Sequence, residues 1–531
     1  MKVRVFSIGW KKSASVLVAL LLVFAFAGCS KKGSAAGKPA SITVEIFDRG
    51  TDGGKSNPVS NNWTKWIQEK LLKDENIAVT FVPVPRWEEV TALNNLMAAG
   101  TPPDVCLTYN AELVANYRDL NGLLNIAPYI DQMLPGLKEF LGPDLALPGR
   151  EFIRRYEDSA TGAVYALPAR RMNTAMRNVF IRKDWLDKLG LPLPSTTGEF
   201  HRALAAFKEK DPGNVGKNNV IPFTMGSDVF WGSQCITYPF IDPAISTEER
   251  WTNIVVDRYF TMPGYKEGAR FLNTLFNEGL LDRNFPLYKT EDDLFNNIKS
   301  GFVGAYSDNW DRIYRDSDHI MEDLQKNVPG AEMVPVDCMT SSDGIPRRTA
   351  YDAAGALIFI PAFCKNPEAA LRYINWLSRY DNYHFLQIGP EGVTHDLVDG
   401  LPKIKIAAGP WVQNSPQNID YTIIINGLDM QDPELTIKAL ANGYSWPAEK
   451  IENAYNVAMH NAVPDPVIPV TLSAAGPYVQ TLIDKGNVML TEAVTASPAG
   501  FDRVWDDRIK DWLESGAQAV IDERRAKFFQ P

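Results

Sequence analysis

Aromatic rings and planar polar groups placed just past apolar runs are the features of this sequence best suited to chemistry. Trp, Tyr and Phe offer rigid platforms for the C–H faces of sugars or for apolar side chains, while Asp, Glu, Asn and Arg make directional hydrogen bonds. With 13 Trp and 19 Tyr among 531 residues, most rings must be core. Seven residues stand out by position as ligand-contact candidates. Trp231 and Trp310 follow apolar runs in polar turns, and Trp63, Tyr109, Arg171, Asp308 and Glu391 fall on segments that read as loops. Such a set points to a binding cleft.

Catalytic chemistry has weaker support. The sequence contains no G-x-S-x-G elbow and no H-E-x-x-H zinc helix. The five histidines, His201, His319, His384, His395 and His460, make no metal-ligand spacing. A carboxylate pair for glycoside hydrolysis leaves little local trace, so with 64 acidic residues a secreted glycosidase is the competing class. Cys106, Cys235, Cys338 and Cys364 form no C-x-x-C pair, which argues against zinc or thioredoxin-like roles. Buried thiols are the favoured reading, with one or two disulfides the other. A formal net charge of −10 argues against a nucleic-acid partner.

The elements that must carry these residues are α/β. Ser41–Phe47, Ile77–Val84 and Asp104–Thr108 read as strands, with helices at Trp63–Leu72 and Trp87–Ala99 between them. That order predicts a parallel sheet, whose carboxyl ends line a ligand site. Asp48–Trp63 and Tyr109-Asn110 are therefore expected in the cleft. Val179–Ile181 reads as a buried strand, followed by a helix Asp184–Leu189 that stops at Gly190. Thr196 and Glu199 form a capping box. Phe200, Ala203, Leu204 and Phe207 then make one apolar helix face. Leu357–Ile360 reads as another strand, Asn366-Pro367 as a helix start, and Phe501–Phe529 as helix.

At the N-terminus, Lys2, Arg4, Lys11 and Lys12 precede an apolar run, Val16–Ala27, too short for a comfortable membrane span. Phe26-Ala27-Gly28-Cys29 resembles a lipobox, which implies cleavage before Cys29 and lipidation of its sulfur. Residues 29–40, small and polar, read as a flexible tether.

The wording of several segments is specific. Arg182–Leu191 (RKDWLDKLGL), Leu96–Val105 (LMAAGTPPDV), Tyr265–Leu281 (YKEGARFLNTLFNEGLL), Asn366–Leu377 (NPEAALRYINWL) and Gly389–Gly400 (GPEGVTHDLVDG) occur in the order seen in a known family. They resemble the extracellular solute-binding proteins of ABC importers, in the branch of LplA-type lipoproteins and alginate-oligosaccharide-binding proteins. The resemblance implies a two-lobed, type II periplasmic-binding-protein-like α/β fold with several hinge crossings. It implies a signal peptide at 1–28, one lobe from 41–168 plus about 345–405, and the other from 169–344 plus about 406–531. It further implies a monomeric, lipid-anchored exported protein that delivers a carbohydrate to permease subunits. Oligopeptide or another solute is the second choice of ligand. Some relatives carry a calcium loop where this chain has Asp211–Pro222. Here Gly213 and Val215 supply no side-chain oxygen, Asn219 stands where Asp is typical and Val220 replaces Glu, so no cofactor is expected.

Overall fold

Strand β1 (Ala40–Asp48) pairs in parallel with β2 (Ile77–Pro85) along their whole length. The computed structural model describes residues 37–50, 57–142, 152–153, 156–158, 161–226, 228–288, 290–405, 409–468 and 472–528. Val44 bridges in parallel to Val105, just before β3 (Cys106–Thr108), so the predicted three-strand parallel order is present. The helix Asn62–Glu75 between β1 and β2 starts at a reciprocal cap: the Asn61 side chain accepts Thr64 N–H, and the Thr64 hydroxyl accepts Asn61 N–H. β4 (Leu167–Arg171) ends the first passage through this lobe.

The chain then crosses through 172–176 to β5 (Arg177–Arg182), every residue of which is buried. With β6 (Ile221–Met225), β7 (Val303–Asn309) and β8 (Met333–Val336) it forms the second sheet, antiparallel to β7 and β8 on either side, while β6 joins β7 in parallel. This sheet is covered on both faces, which is why Val179–Ile181 at the centre of β5 is a continuous apolar run. Val179 and Ile181 pack with Phe200, Phe207 and Leu272. Phe180 packs on the other side with Tyr306, Met333 and Ile451. Gly190 takes the expected left-handed cap at φ 63°. Thr196 caps the helix Thr197–Lys210, but Glu199 reaches one residue further back than expected, accepting from Ser195 N and Oγ at 2.9 and 2.8 Å.

After β9 (Arg348–Ala350) the chain returns to the first lobe with β10 (Ala354–Phe359), which runs antiparallel to β3 and β4. A hairpin, β11 (His395–Val398) and β12 (Leu401–Ile404), follows. The boundary expected near 405 is corrected here. β13 (Ile425–Asn426) adds in parallel to β4, and Tyr421, Ile423 and Ile424 are buried in the first lobe's core. Only after residue 430 does the chain leave: the helix Pro433–Asn442 bridges, with Ala439 packed with Ile388 and Leu428 and with Leu440 and Ala441 in the second lobe's core, and the helix Ala448–Met459 packs in the second lobe. β14 (Ala462–Pro464) pairs in parallel with β9 and so runs beside it between the lobes. Two smaller expectations also change. Asn366 does not cap its helix but donates to Ser41 O. The expected single C-terminal helix is broken at Leu513–Ala517, where Gly516 adopts φ 125°.

Candidate functional site

The first wall of the cleft is built at the carboxyl ends of β1, β2 and β3, where parallel strands leave unfilled space. One buried carboxylate organises it. Glu89 Oε1 accepts from Thr108 Oγ1 (2.9 Å), Tyr109 N (3.2 Å) and Asn110 Nδ2 (3.2 Å), and Oε2 accepts from Arg86 Nη1 at 2.8 Å. The Arg86 guanidinium lies 4.5 Å from the Tyr109 ring centroid, 5.1 Å from Phe47 and 5.3 Å from Trp87. Trp87 is 76% exposed, an open ring beside this cluster. Arg49, just past β1, is held bidentately by Asp420 at 2.7 and 2.8 Å.

The second wall stands at the ends of β6 and β7. Asp228 caps the helix Val229–Thr237 by accepting Trp231 N–H at 2.9 Å, which fixes Trp231 at the first turn. The half-buried Trp231 ring has Arg177 at 5.6 Å and Arg258 at 5.7 Å. Arg177 Nη1 donates to Asp308 Oδ1 at 2.7 Å, and Asp308 also accepts from the Tyr306 hydroxyl and from Asn309 N. Burial alone would push the Asp308 carboxyl up, but Arg312, Arg177 and the Tyr306 hydroxyl hold it below the usual range.

Between the walls lies a set of charges from distant parts of the chain. Val256 and Asp257 form a tight turn with φ 49° and 58°. Left-handed backbone at a β-branched residue is strained, by about 1–3 kcal/mol, and the turn leaves the Asp257 side chain exposed while Val256 is buried. Arg258 Nη1 donates to Val256 O at 3.0 Å. Asp465, just past β14, accepts from Tyr259 OH at 2.8 Å, and its Oδ1 has no partner. Loss of hydration, with Asp257 nearby, pushes Asp465 up to about 6. Glu112 of the first lobe lies 4.0 Å from Arg524 of the last helix. The two lobes touch closely here: a Cβ on Gly476 would meet Asn116 Cβ at 2.5 Å and Glu112 O at 3.1 Å.

Of the sequence candidates, Tyr109, Trp231 and Asp308 belong to the two walls, and Arg171 ends β4 with its guanidinium 4.3 Å from the Tyr351 ring. Trp63 and Trp310 are corrected to core residues. Trp63 is a helix residue, 0% exposed, whose indole N–H donates to the carbonyls of Trp411 and Val412. Trp310 is 5% exposed and packs edge-on against Tyr444 and Tyr455. Glu391 is exposed in the turn before β11. Cys29 lies outside the described residues. Cys106, Cys235, Cys338 and Cys364 are free thiols, the first three buried. Sequence reasoning passed over Trp87, Glu89, Asp257 and Asp465, since none sits in a motif.

Residues 56–383 match the model of the bacterial extracellular solute-binding protein family. The chain belongs to this family. Along 475 residues, 87% of each chain, this solute-binding protein is 22% identical to the polygalacturonan/rhamnogalacturonan-binding protein YtcQ of Bacillus subtilis. It is 26% identical over 308 residues to the fructooligosaccharide ABC transporter substrate-binding protein FusA of Streptococcus pneumoniae, a stretch that spans 53% of this chain and 54% of that relative. The crystal structure of the alginate-binding protein AlgQ2 without calcium ion superposes with a TM-score of 0.62 at 18% identity, over 92% of this chain and 98% of that one. That likeness shows the two-lobed solute-binding fold.

The loop where some family members hold calcium does not fit the ion here. Both Asp211 oxygens accept backbone N–H groups, from Val215 at 3.0 Å and Gly216 at 2.8 Å, and Asn219 Nδ2 donates to Val215 O. A side chain at position 213 would strike the Trp185 ring at 2.7 Å, so no oxygen ligand can be added there without displacing it. Among the described residues no group of three or more His, Cys, Asp or Glu side chains could hold a metal ion.

Proposed function

We propose that this solute-binding protein captures a carbohydrate, an oligosaccharide by preference, between its two lobes and hands it to an ABC permease. The carrying observation is an open aromatic platform on one wall, Trp87 with Tyr109 about Arg86, and a further ring, Trp231 beside Arg177, on the other. Sugars present apolar C–H faces and hydroxyl edges, and such walls match both. YtcQ and FusA carry carbohydrate-binding names, which supports the reading. A ligand that bridges the walls favours the closed arrangement through its differential affinity for it. Lipidation at Cys29 would tether the receptor outside the cytoplasmic membrane, and no helix among the described residues is long and apolar enough to cross one.

A second reading, glycoside hydrolysis, draws on Asp465, a cleft carboxyl raised to about 6 beside Asp257. One experiment separates the two. Intrinsic Trp fluorescence and thermal melting of the chain from Pro39 onward, against panels of glycans and peptides, should show a saturable shift with one glycan class and no product. Product formation establishes the hydrolase, and a shift with peptides alone removes the carbohydrate reading.

A further inference from the structure

We propose, on the carbohydrate reading above, that Asp257 and Arg171 grip one sugar unit from opposite lobes, Asp257 accepting from its hydroxyls and Arg171 donating to its oxygens. The bound sugar would then itself latch the cleft shut.

Asp257 is held out by a strained turn. Val255 and Arg258 exchange backbone N–H···O bonds at 3.1 and 2.9 Å, so Val256 and Asp257 are the two central residues, with φ 49° and 58°. Positive φ at both centres is the usual setting of Asn-Gly, not of a β-branched residue. The turn is anchored all the same. Val256 is 2% exposed in the second lobe's core, and its carbonyl accepts from Arg258 Nη1 at 3.0 Å. At its tip stands the exposed Asp257 carboxylate, which makes no hydrogen bond or ion pair with any described residue. Strain of this kind gathers at ligand sites.

The exposure is toward the gap. Around the carboxylate stand Arg258 and Arg524, Asp465 past β14, Asp352 before β10, Glu112 of the first lobe and Arg171 at the end of β4. Arg524 donates to Trp251 O and faces Glu112, and Arg258 donates to Val256 O. Arg171 differs from both. Its guanidinium lies 4.3 Å from the Tyr351 ring, its Nε has no partner, and it makes no side-chain hydrogen bond or ion pair with any described residue. Tyr351 N donates to Thr174 O at 2.9 Å, which ties this stacked guanidinium to the crossing between the lobes. From there the surface continues to Trp231, whose ring has Arg177 at 5.6 Å and Arg258, the residue after Asp257, at 5.7 Å.

A carboxylate only accepts and a guanidinium only donates. Both are unpaired here, and they are carried by different lobes. A sugar edge supplies what each lacks: one hydroxyl donates to Asp257, and a neighbouring hydroxyl or ring oxygen accepts from Arg171. Such a ligand touches both lobes at once, which is what differential affinity for the closed arrangement requires.

The test is titration calorimetry of the full chain and its variants with fructo-, galacto-, manno-, gluco- and galacturono-tetrasaccharides, together with melting of each free variant. Glycine suits φ 58°, so Asp257→Gly keeps the turn. Asp257→Gly and Arg171→Gln should each weaken the best-bound sugar by about tenfold or more, the size of a hydrogen bond to a charged group. The double variant should lose less than the product of the two losses, because either one alone breaks the shared grip. In the free proteins the two substitutions should act on the melting temperature independently. Full affinity in either single variant, or losses that simply multiply, overturns the grip and leaves the carbohydrate reading standing. Coupling of the two positions in the free protein makes them a structural ion pair and overturns the ligand role. Silence toward every glycan overturns both proposals.

Discussion

Glu112 Oε1 and Arg524 Nη2 stand 4.0 Å apart, one in the first lobe and one in the last helix of the chain. Close by, Gly476 of the second lobe rests against the helix Ala111–Asp119 with no room for a Cβ. The lobes therefore meet through a contact that only glycine permits.

That contact gives a first prediction. Gly476→Val should hold the lobes apart, enlarging the radius of gyration of the free protein in solution scattering and weakening ligand binding by tenfold or more. An unchanged radius with unchanged affinity would show that the contact does not set the lobe spacing.

Trp87 allows recognition to be separated from stability. Its ring is 76% exposed, so Trp87→Ala should alter unfolding free energy by less than about 0.5 kcal/mol. Affinity for the glycan should still fall about tenfold, the order expected for loss of an aromatic platform. A variant with full affinity would remove Trp87 from the site.

Asp465 makes stability depend on pH in a defined direction. The folded carboxyl keeps its proton until about pH 6, while an unfolded one releases it near pH 4. Stability from this group is thus greatest below pH 4, falls as pH rises towards 6, and is reduced above that by roughly 3 kcal/mol at most. Asp465→Asn keeps an acceptor for the Tyr259 hydroxyl and removes the titration. Its melting temperature should exceed that of the parent at pH 7.5 and lose that advantage at pH 4.5. An equal offset at both pH values would contradict the assignment.

Calcium should do nothing. The Asp211 carboxylate already closes its loop through two backbone N–H groups. Addition of 1 mM calcium, or of a chelator, should move the melting temperature by less than about 1 °C, since only a ligand bound to the native state stabilises it. A calcium-dependent rise of several degrees would restore the ion to this loop.

Local features of the fold were legible where neighbours in sequence are also neighbours in space. Gly190 and the Phe200–Phe207 face depend on contacts a few residues apart, and both stand as read. Trp63 and Trp310 were misread because residues far along the chain, Trp411 for one and Tyr444 and Tyr455 for the other, cover them. The return of Tyr421–Ile425 to the first lobe carries no local signal, since a two-residue strand has no periodicity. The gap itself draws on positions 112, 257, 465 and 524, and its turn at Val256-Asp257 lacks the Gly or Asn that announces left-handed backbone.

Capture of an oligosaccharide between the lobes is tested most directly by solution scattering during a titration, with Trp fluorescence followed on the same samples. The account predicts that the radius of gyration falls and the fluorescence shifts with one shared midpoint, and that the sugar is recovered intact. Binding with no change in radius, or recovery of a shortened sugar, would contradict it.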